Sequence, residues 1–497
     1  MKWPERSLKK CAPAMFDWVT DITTHPNFRD VIFWTSLTVV AIGFIQNLIY
    51  AWCIPQAWLE LNKHSQRDDD HAGWEILRSK SALPITIIVP AYNEANTIRE
   101  NVMALMALQY PELRIIVVND GSSDETASKM IEEFNMVETY LVRDAETITH
   151  KPIRQIYRSE IYPSLLFIDK ENGKKADAIN VGLTCVRTPL FCVIDADSLL
   201  EPKALLGVVR PFMETSDNVI AVGGTVGIVN GCTVRNGQVV EYKLPKSFLA
   251  RLQVVEYVRA FLMARLAASR KGSLAIISGA FGVFRRDIAV AVGGYDTTTV
   301  GEDMELVLKM HRYMLESKTP YSVRYVPEPV CWTEAPESLK FLSNQRTRWQ
   351  RGALECLSRH RKMIFNPRYG RLGMITLPTF FLVDVVSPIA EILGYCLMII
   401  FVLLGWLDFR FFVAITVLIF SYGVLISMWS LLLEQDEIER FSRPRDVFHV
   451  LLTAILENFG FRQICSIWRI RGLIQHFRGM KPTWGSMERK GFSVSSE

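Results

Sequence analysis

Four short stretches carry side chains that could do chemistry together. Asp195-Ala-Asp197 sets two carboxylates at alternate positions. On extended backbone such positions point the same way, so the pair can share a hard divalent cation, Mg2+ or Mn2+, with a diphosphate. Asp120 lies in Asn119-Asp-Gly-Ser-Ser-Asp124. Ser122, Ser123 or Asp124 can cap the following helix, which leaves Asp120 for the base of a ligand. Gly301-Glu-Asp303 opens an amphipathic stretch, Met304 to Leu315, where Asp303 can accept a proton from a hydroxyl. A helix N-terminus lowers the pKa of such a group and burial raises it, so the two effects oppose. Gln345-Arg-Thr-Arg-Trp349 offers the planar Arg348 guanidinium to a diphosphate and the Trp349 indole to a sugar ring. Each stretch also has a plain structural reading: turn-forming aspartates, a helix cap, an acidic first turn, a solvated helix face.

The elements that must position these groups favour chemistry. Ile85–Val89, Arg114–Val118 and Leu190–Ile194 are short, β-branched-rich runs in a β-α-β pattern between about Pro84 and Arg361. Continuous apolar strands of this kind predict a buried parallel sheet. Each run ends in polar residues: Pro90-Ala-Tyr-Asn-Glu94, the Asp120 turn, and Asp195-Ala-Asp197. Ligands of open α/β sheets lie beyond the carboxyl ends of strands, so three such clusters describe one crevice. Asn172-Gly-Lys-Lys-Ala-Asp177 adds Lys174 and Lys175 at a helix start. Gly223-Gly-Thr-Val-Gly227 lacks the strand–turn–helix context and distal acid of a dinucleotide site, and that reading is rejected.

The remaining apolar sequence is clustered at membrane length. Val31 to Leu59 and Phe411 to Leu433 contain no Asp, Glu, Lys or Arg, and each exceeds the ~20 residues that span a bilayer. Thirty mixed polar residues precede the first run, which is therefore expected to stay as an anchor. Leu372 to Leu407 is interrupted only by Asp384 and Glu391, with Pro388 between them; a surface or re-entrant helix ending near Pro388, then a spanning helix, is expected. The Arg-bearing segment Glu434 to His449 and the basic tail from Arg469 to Lys490 both prefer the cytoplasm. Val447 to Ile470 between them, with Glu457, Asn458, Arg462 and Gln463, is then expected to be interfacial or re-entrant. The expected divisions are an anchor segment (1–60), a cytosolic catalytic domain with interface helices (61–371), membrane and interfacial helices (372–470) and a basic cytosolic tail (471–497). Nine scattered cysteines predict reduced thiols, and a net charge of +4 is too small to argue for nucleic-acid binding, so no nucleic-acid partner is expected.

In this order, and ahead of membrane helices, Asn119–Asp124, Asp195–Asp197, Gly301–Asp303 and Gln345–Trp349 resemble the family 2 membrane glycosyltransferases: cellulose, hyaluronan and chitin synthases and the bacterial poly-N-acetylglucosamine synthases. The resemblance spans residues 30 to 470. It implies an α/β fold with a GT-A-type nucleotide-sugar domain inserted between transmembrane helices, at the plasma (inner) membrane. It also implies inverting hexosyl transfer from a nucleotide diphosphate sugar, UDP-linked in most of these enzymes, to a growing polysaccharide. Asp120 with Lys174 or Lys175 would then meet the nucleotide, Asp195 and Asp197 the diphosphate and metal, with Asp197 the more direct ligand. Asp303 would be the base, Arg348 would bind the leaving diphosphate, and Gln345 and Trp349 the acceptor. Ser278-Gly-Ala-Phe-Gly282 matches the small-residue acceptor segment, where a sugar approaches backbone closely. Its Ser-Gly-Ala form, where cellulose synthases carry cysteine, places the chain nearer the hyaluronan and poly-N-acetylglucosamine type. Under thirty residues follow the last apolar segment, too few for a β-barrel that binds a cyclic dinucleotide, and export is expected to involve partner subunits. Two other readings stand beside this one: single transfer to a lipid carrier, and an inactive glycan-export subunit.

Overall fold

The computed structural model describes residues 26–65, 82–141, 148–214, 218–235, 237–403, 405–406, 409–433 and 444–480. The charged segments 434–443 and 481–497, and Cys11, lie outside them; the eight described cysteines are all free thiols.

The three strands expected from sequence form the middle of the sheet. β1 (Ile85–Ala91) is paired in parallel with β2 (Leu113–Asn119) on one side and β6 (Leu190–Ile194) on the other. Their alternating side chains feed two cores. Ile85, Ile87 and Val89 pack into the layer on one face, and Ile88, Ile116 and Val118 into the layer on the other. Burial on both faces explains why the strands read as unbroken apolar runs.

Outward from this centre the sheet is mixed, which corrects the expectation of a parallel one. Its ten strands run β3 (Met136–Glu138), β4 (Ile153–Ser159), β5 (Leu165–Lys170), β2, β1, β6, β11 (Phe281–Arg285), β8 (Val219–Ile228), β12 (Ser322–Thr333), β7 (Leu199–Leu200). β11 lies antiparallel to both β6 and β8, and β4 antiparallel to β5. An apolar run specifies burial, not direction, so the orientation of β11 was not legible in its composition. A separate hairpin joins β9 (Thr233–Arg235) to β10 (Gln238–Glu241). Gly223 to Gly227 sits wholly inside buried β8, where no phosphate-binding turn can form.

Three described helices are long and apolar enough to cross a membrane: Asp30–His64, Leu372–Leu403 and Phe409–Leu432. The first belongs to a 40-residue helix, Pro26–Ser65, roughly 60 Å long and so about twice the hydrocarbon thickness. Its end is tied to the sheet domain: Arg270 binds Glu60, and the Lys271 ammonium lies 5.4 Å above the Trp52 ring. The expected break at Pro388 does not occur. Leu372–Leu403 is continuous, and Pro388 falls in the first turn after a π-helical stretch, Phe381–Val386. The wider π turn absorbs the missing N–H that would otherwise end the helix. Pro444–Leu456 and Phe461–Phe477 meet at a 56° bend, which makes a fourth span if broken or a re-entrant loop.

Candidate active site

β1, β2 and β6 end together where the chain's connections diverge to the two sides of the sheet, the place at which open α/β sheets hold ligands. The expected clusters at these ends do converge. Asp120, Lys174, Lys175, Asp195, Asp197, Ser278, Gly279, Asp303, Gln345, Arg348 and Trp349 all line one cavity of about 2320 Å3.

At the β2 end, Asp120 is buried and its carboxylate already engaged. Oδ1 accepts from the Lys170 ammonium (2.6 Å) and the Gly173 amide (2.9 Å), and Oδ2 from the Lys174 amide (2.7 Å). Asp124, one of the three cap candidates, accepts from the Thr126 amide at 3.0 Å just ahead of the helix Thr126–Glu133, whose N-cap residue, Glu125, makes no side-chain cap bond. Asp120 is thereby spared capping but not left free: it fastens the Asn172–Lys174 turn to the strand end. Lys170, which sequence reasoning passed over, is fully buried and also bridges to Asp177 at 2.7 Å. One ammonium between two carboxylates is a group that only tertiary packing reveals.

Lys175 works at a different place from Lys174. Its ammonium contacts Asp195 and donates to the Gly279 carbonyl at 3.2 Å. Burial would strip that ammonium of its proton, but the charges of Asp195, Glu302 and Asp303 hold its pKa above the usual lysine value. Of the two lysines assigned jointly to the nucleotide, Lys175 belongs with the carboxylates.

Asp303 stands in the first turn of the helix Glu302–Glu316. Its Oδ2 accepts from the Gly279 amide (3.1 Å) and its Oδ1 from the Met304 amide (2.8 Å). A Cβ on Gly279 would lie 3.3 Å from Lys175 Nζ and 3.5 Å from Asp303 Oδ2, so these groups close to about van der Waals distance of where a side chain would begin. The neighbouring Glu302, quoted in the motif but given no role in the sequence reading, has its carboxyl raised to about 7 by burial, with Lys175 opposing and Asp303 adding to the rise.

Asp195 and Asp197 suit a divalent cation. Burial, and the charge of Asp195 beside it, raise the Asp197 carboxyl to about 7, with Lys175 opposing; Asp195 is 31% exposed and already contacts the Lys175 ammonium. Among the described residues no group of three or more His, Cys, Asp or Glu could hold a metal ion. The two carboxylates are hard oxygen groups of the kind that Mg2+ and Mn2+ accept.

Gln345, Arg348 and Trp349 lie on the helix Leu339–Arg359. That helix is pressed on the Asp303 turn: a Cβ on Gly352 would come within 2.8 Å of Gly301 Cα. Glu355, one turn on, accepts from Thr299 Oγ1 (2.8 Å) and the Val300 amide (3.1 Å). A glycine inside a helix signals close backbone approach, and Gly352 could have been read that way; Glu355 carried no such signal. Gln345 Oε1 is buried without a hydrogen-bond partner. The cavity continues past Trp349 between Ile45, Leu48 and Trp52 of the first apolar helix and Ile375, Phe380 and Val383 of Leu372–Leu403.

The chain has known relatives. Poly-beta-1,6-N-acetyl-D-glucosamine synthases of Staphylococcus epidermidis and Staphylococcus aureus are each 28% identical to it, over 275 and 276 residues. The chain spans about half the length of these relatives: 56% of each is covered, by 55% of the chain. Among solved structures, the mannosyltransferase PcManGT of Pyrobaculum calidifontis, in complex with GDP-Man and Mn2+, superimposes with a TM-score of 0.54 at 16% identity, covering 90% of this chain and 100% of that one. At that identity the likeness is one of fold. The family described as "Glycosyltransferase like family 2" matches residues 83–352, more than half of the sequence and every part of the site from Asp120 to Trp349, and the chain belongs to that family.

Proposed function

We propose that this protein transfers a sugar, with inversion, from a nucleotide diphosphate sugar to a growing polysaccharide at the plasma membrane, with its sheet domain in the cytosol. The observation that carries this reading is the single cavity in which Asp195, Asp197, Asp303, Arg348 and Trp349 meet and which then runs along two apolar helices. In this reading the donor's nucleoside lies beside the Asp120 and Lys174 turn. Asp195 and Asp197 would hold Mg2+ or Mn2+, and the chemistry it would supply there is charge neutralisation of the diphosphate. Arg348 takes the same diphosphate through charge-assisted hydrogen bonds, and Lys175 keeps the carboxylates compensated.

The acceptor hydroxyl attacks C1 of the sugar, the C1–O bond to the β-phosphate breaks, and the nucleoside diphosphate leaves with that electron pair. Asp303 receives the hydroxyl proton. Ser278 and Gly279 let the ring approach the backbone, Trp349 stacks on it, and a sugar hydroxyl supplies the partner that Gln345 Oε1 lacks. A UDP-sugar is the proposed donor, following the relatives' N-acetylglucosamine polymers.

The test is nucleoside diphosphate release by the purified full chain from a panel of nucleotide sugars, UDP-linked first, with Mg2+ or Mn2+, followed by product sizing. Release with polymer expected as product would support the reading. A single added sugar on lipid would replace it with the lipid-carrier reading, and no release from any donor would point to an inactive export subunit.

A further inference from the structure

The indole of Trp349 is 40% exposed in the cavity wall, yet one of its faces is already taken. The Arg346 guanidinium lies 4.3 Å from the ring centroid. Arg346 is itself 5% exposed, and its Nη2 donates to Glu256 Oε2 at 2.6 Å. Glu256 stands on another element, the helix Phe248–Tyr257, which is locked against the Leu339–Arg359 and Phe461–Phe477 helices by Leu252, Leu342 and Phe461. The chain of contacts runs from a packed helix to a carboxylate, to a planar cation, to an exposed ring.

We propose that Glu256, acting through Arg346, is a positioning residue that fixes Trp349 as a rigid platform for the acceptor sugar. The inference rests on the reading of Trp349 as an acceptor contact. An exposed indole left to itself samples several rotamers, and ordering it on binding costs free energy. A desolvated cation over the ring contributes about 0.5–2 kcal/mol towards one orientation, and leaves the opposite face for a ligand. Arg346 can do this only while Glu256 compensates its buried charge and holds its plane. Lysine would keep the charge and lose the flat stack.

The experiment uses the purified full chain, the nucleotide sugar it releases diphosphate from, and a short oligosaccharide of the same sugar as acceptor. Glu256→Gln and Arg346→Lys are each expected to raise the acceptor KM by about 5–10-fold, with the donor KM unchanged within about twofold, and to lower the ratio of transfer to donor hydrolysis accordingly. Glu256→Asp should recover most of the loss, and the Glu256→Gln/Arg346→Lys pair should be no worse than the poorer single variant. Arg346→Lys carries the test should Glu256→Gln not fold. An unchanged acceptor KM in a wild-type-active background overturns this proposal alone, as do transfer and hydrolysis falling together with the melting temperature. A wild-type chain that turns over no nucleotide sugar overturns the functional reading and this inference with it.

Discussion

Asp303 and Glu302 are adjacent carboxylates with different surroundings. Asp303 accepts two backbone amides, which orient it without occupying every lone pair. Under the proposed reaction, Asp303→Asn keeps the shape but only one of those two contacts, because its NH2 cannot accept an amide, and it cannot take a proton. We expect nucleotide affinity close to wild type and transfer reduced by about 10²–10⁴-fold, read by calorimetry and diphosphate release; retained turnover would remove Asp303 from its role. Lys170 makes a prediction of stability instead. Fully buried between Asp120 and Asp177, it cannot be removed without leaving two uncompensated carboxylates, so Lys170→Met should cost about 3–5 kcal/mol, visible as a large fall in the thermal midpoint. A neutral result would mean that water reaches this trio.

At the scale of elements, the Leu339–Arg359 helix joins the acceptor side of the cavity to the Asp303 turn. On an exposed helix Gly→Ala stabilises by about 1 kcal/mol. Here Gly352→Ala should do the opposite, because its methyl would meet Gly301 backbone at 2.8 Å; a loss of about 1–3 kcal/mol and of activity is expected, and a stabilised, active variant would refute the packing argument. The Glu302–Glu316 helix is held from behind by His311, fully buried, with Nδ1 at 2.6 Å from Tyr321 Oη and Nε2 at 2.8 Å from the Leu274 carbonyl. Burial lowers its pKa to about 4 from an ordinary 6.5, the Leu274 carbonyl opposing. The folded state therefore disfavours the proton that the unfolded chain accepts. His311 leaves stability intact above pH 6.5 and withdraws it as pH falls towards 4, on the order of 3 kcal/mol in all. Unfolding midpoints at pH 7 and pH 5 should differ in wild type and differ less in His311→Gln.

For the molecule as a whole, the cavity starts at the strand ends and finishes among helices of membrane length. Its sheet domain is anchored on that bundle by polar contacts, among them Arg259 with Glu457 and Gln350, whose Nε2 donates to the Asp384 carbonyl at 2.5 Å. The bent pair Pro444–Leu456 and Phe461–Phe477 decides the topology. If it is re-entrant, Met480 lies on the same side of the membrane as Tyr140 of the sheet domain. In a cysteine-depleted chain, single cysteines at these two exposed positions should be labelled from one side by an impermeant reagent. Labelling from opposite sides would make the pair a fourth span.

Local sequence determined what local physics can specify. The three central strands, their polar ends, the apolar helices and the carboxylates after Ile194 and Gly301 were legible because periodicity, burial and strand-end chemistry act within a few residues. The mixed strand order was not, because an apolar run carries no direction. Nor were the long-range pairs: Lys170 with Asp120, Glu256 with Arg346, Gly301 with Gly352. Each joins residues fifty or more positions apart, and only packing sets which charge is desolvated and which partner answers it. The same holds for the continuous helix through Pro388, where a π turn supplied by the preceding residues overrode the break that proline alone predicts. Sequence thus named the chemical groups of the site, and tertiary structure decided their protonation, their partners and the path that leads away from them.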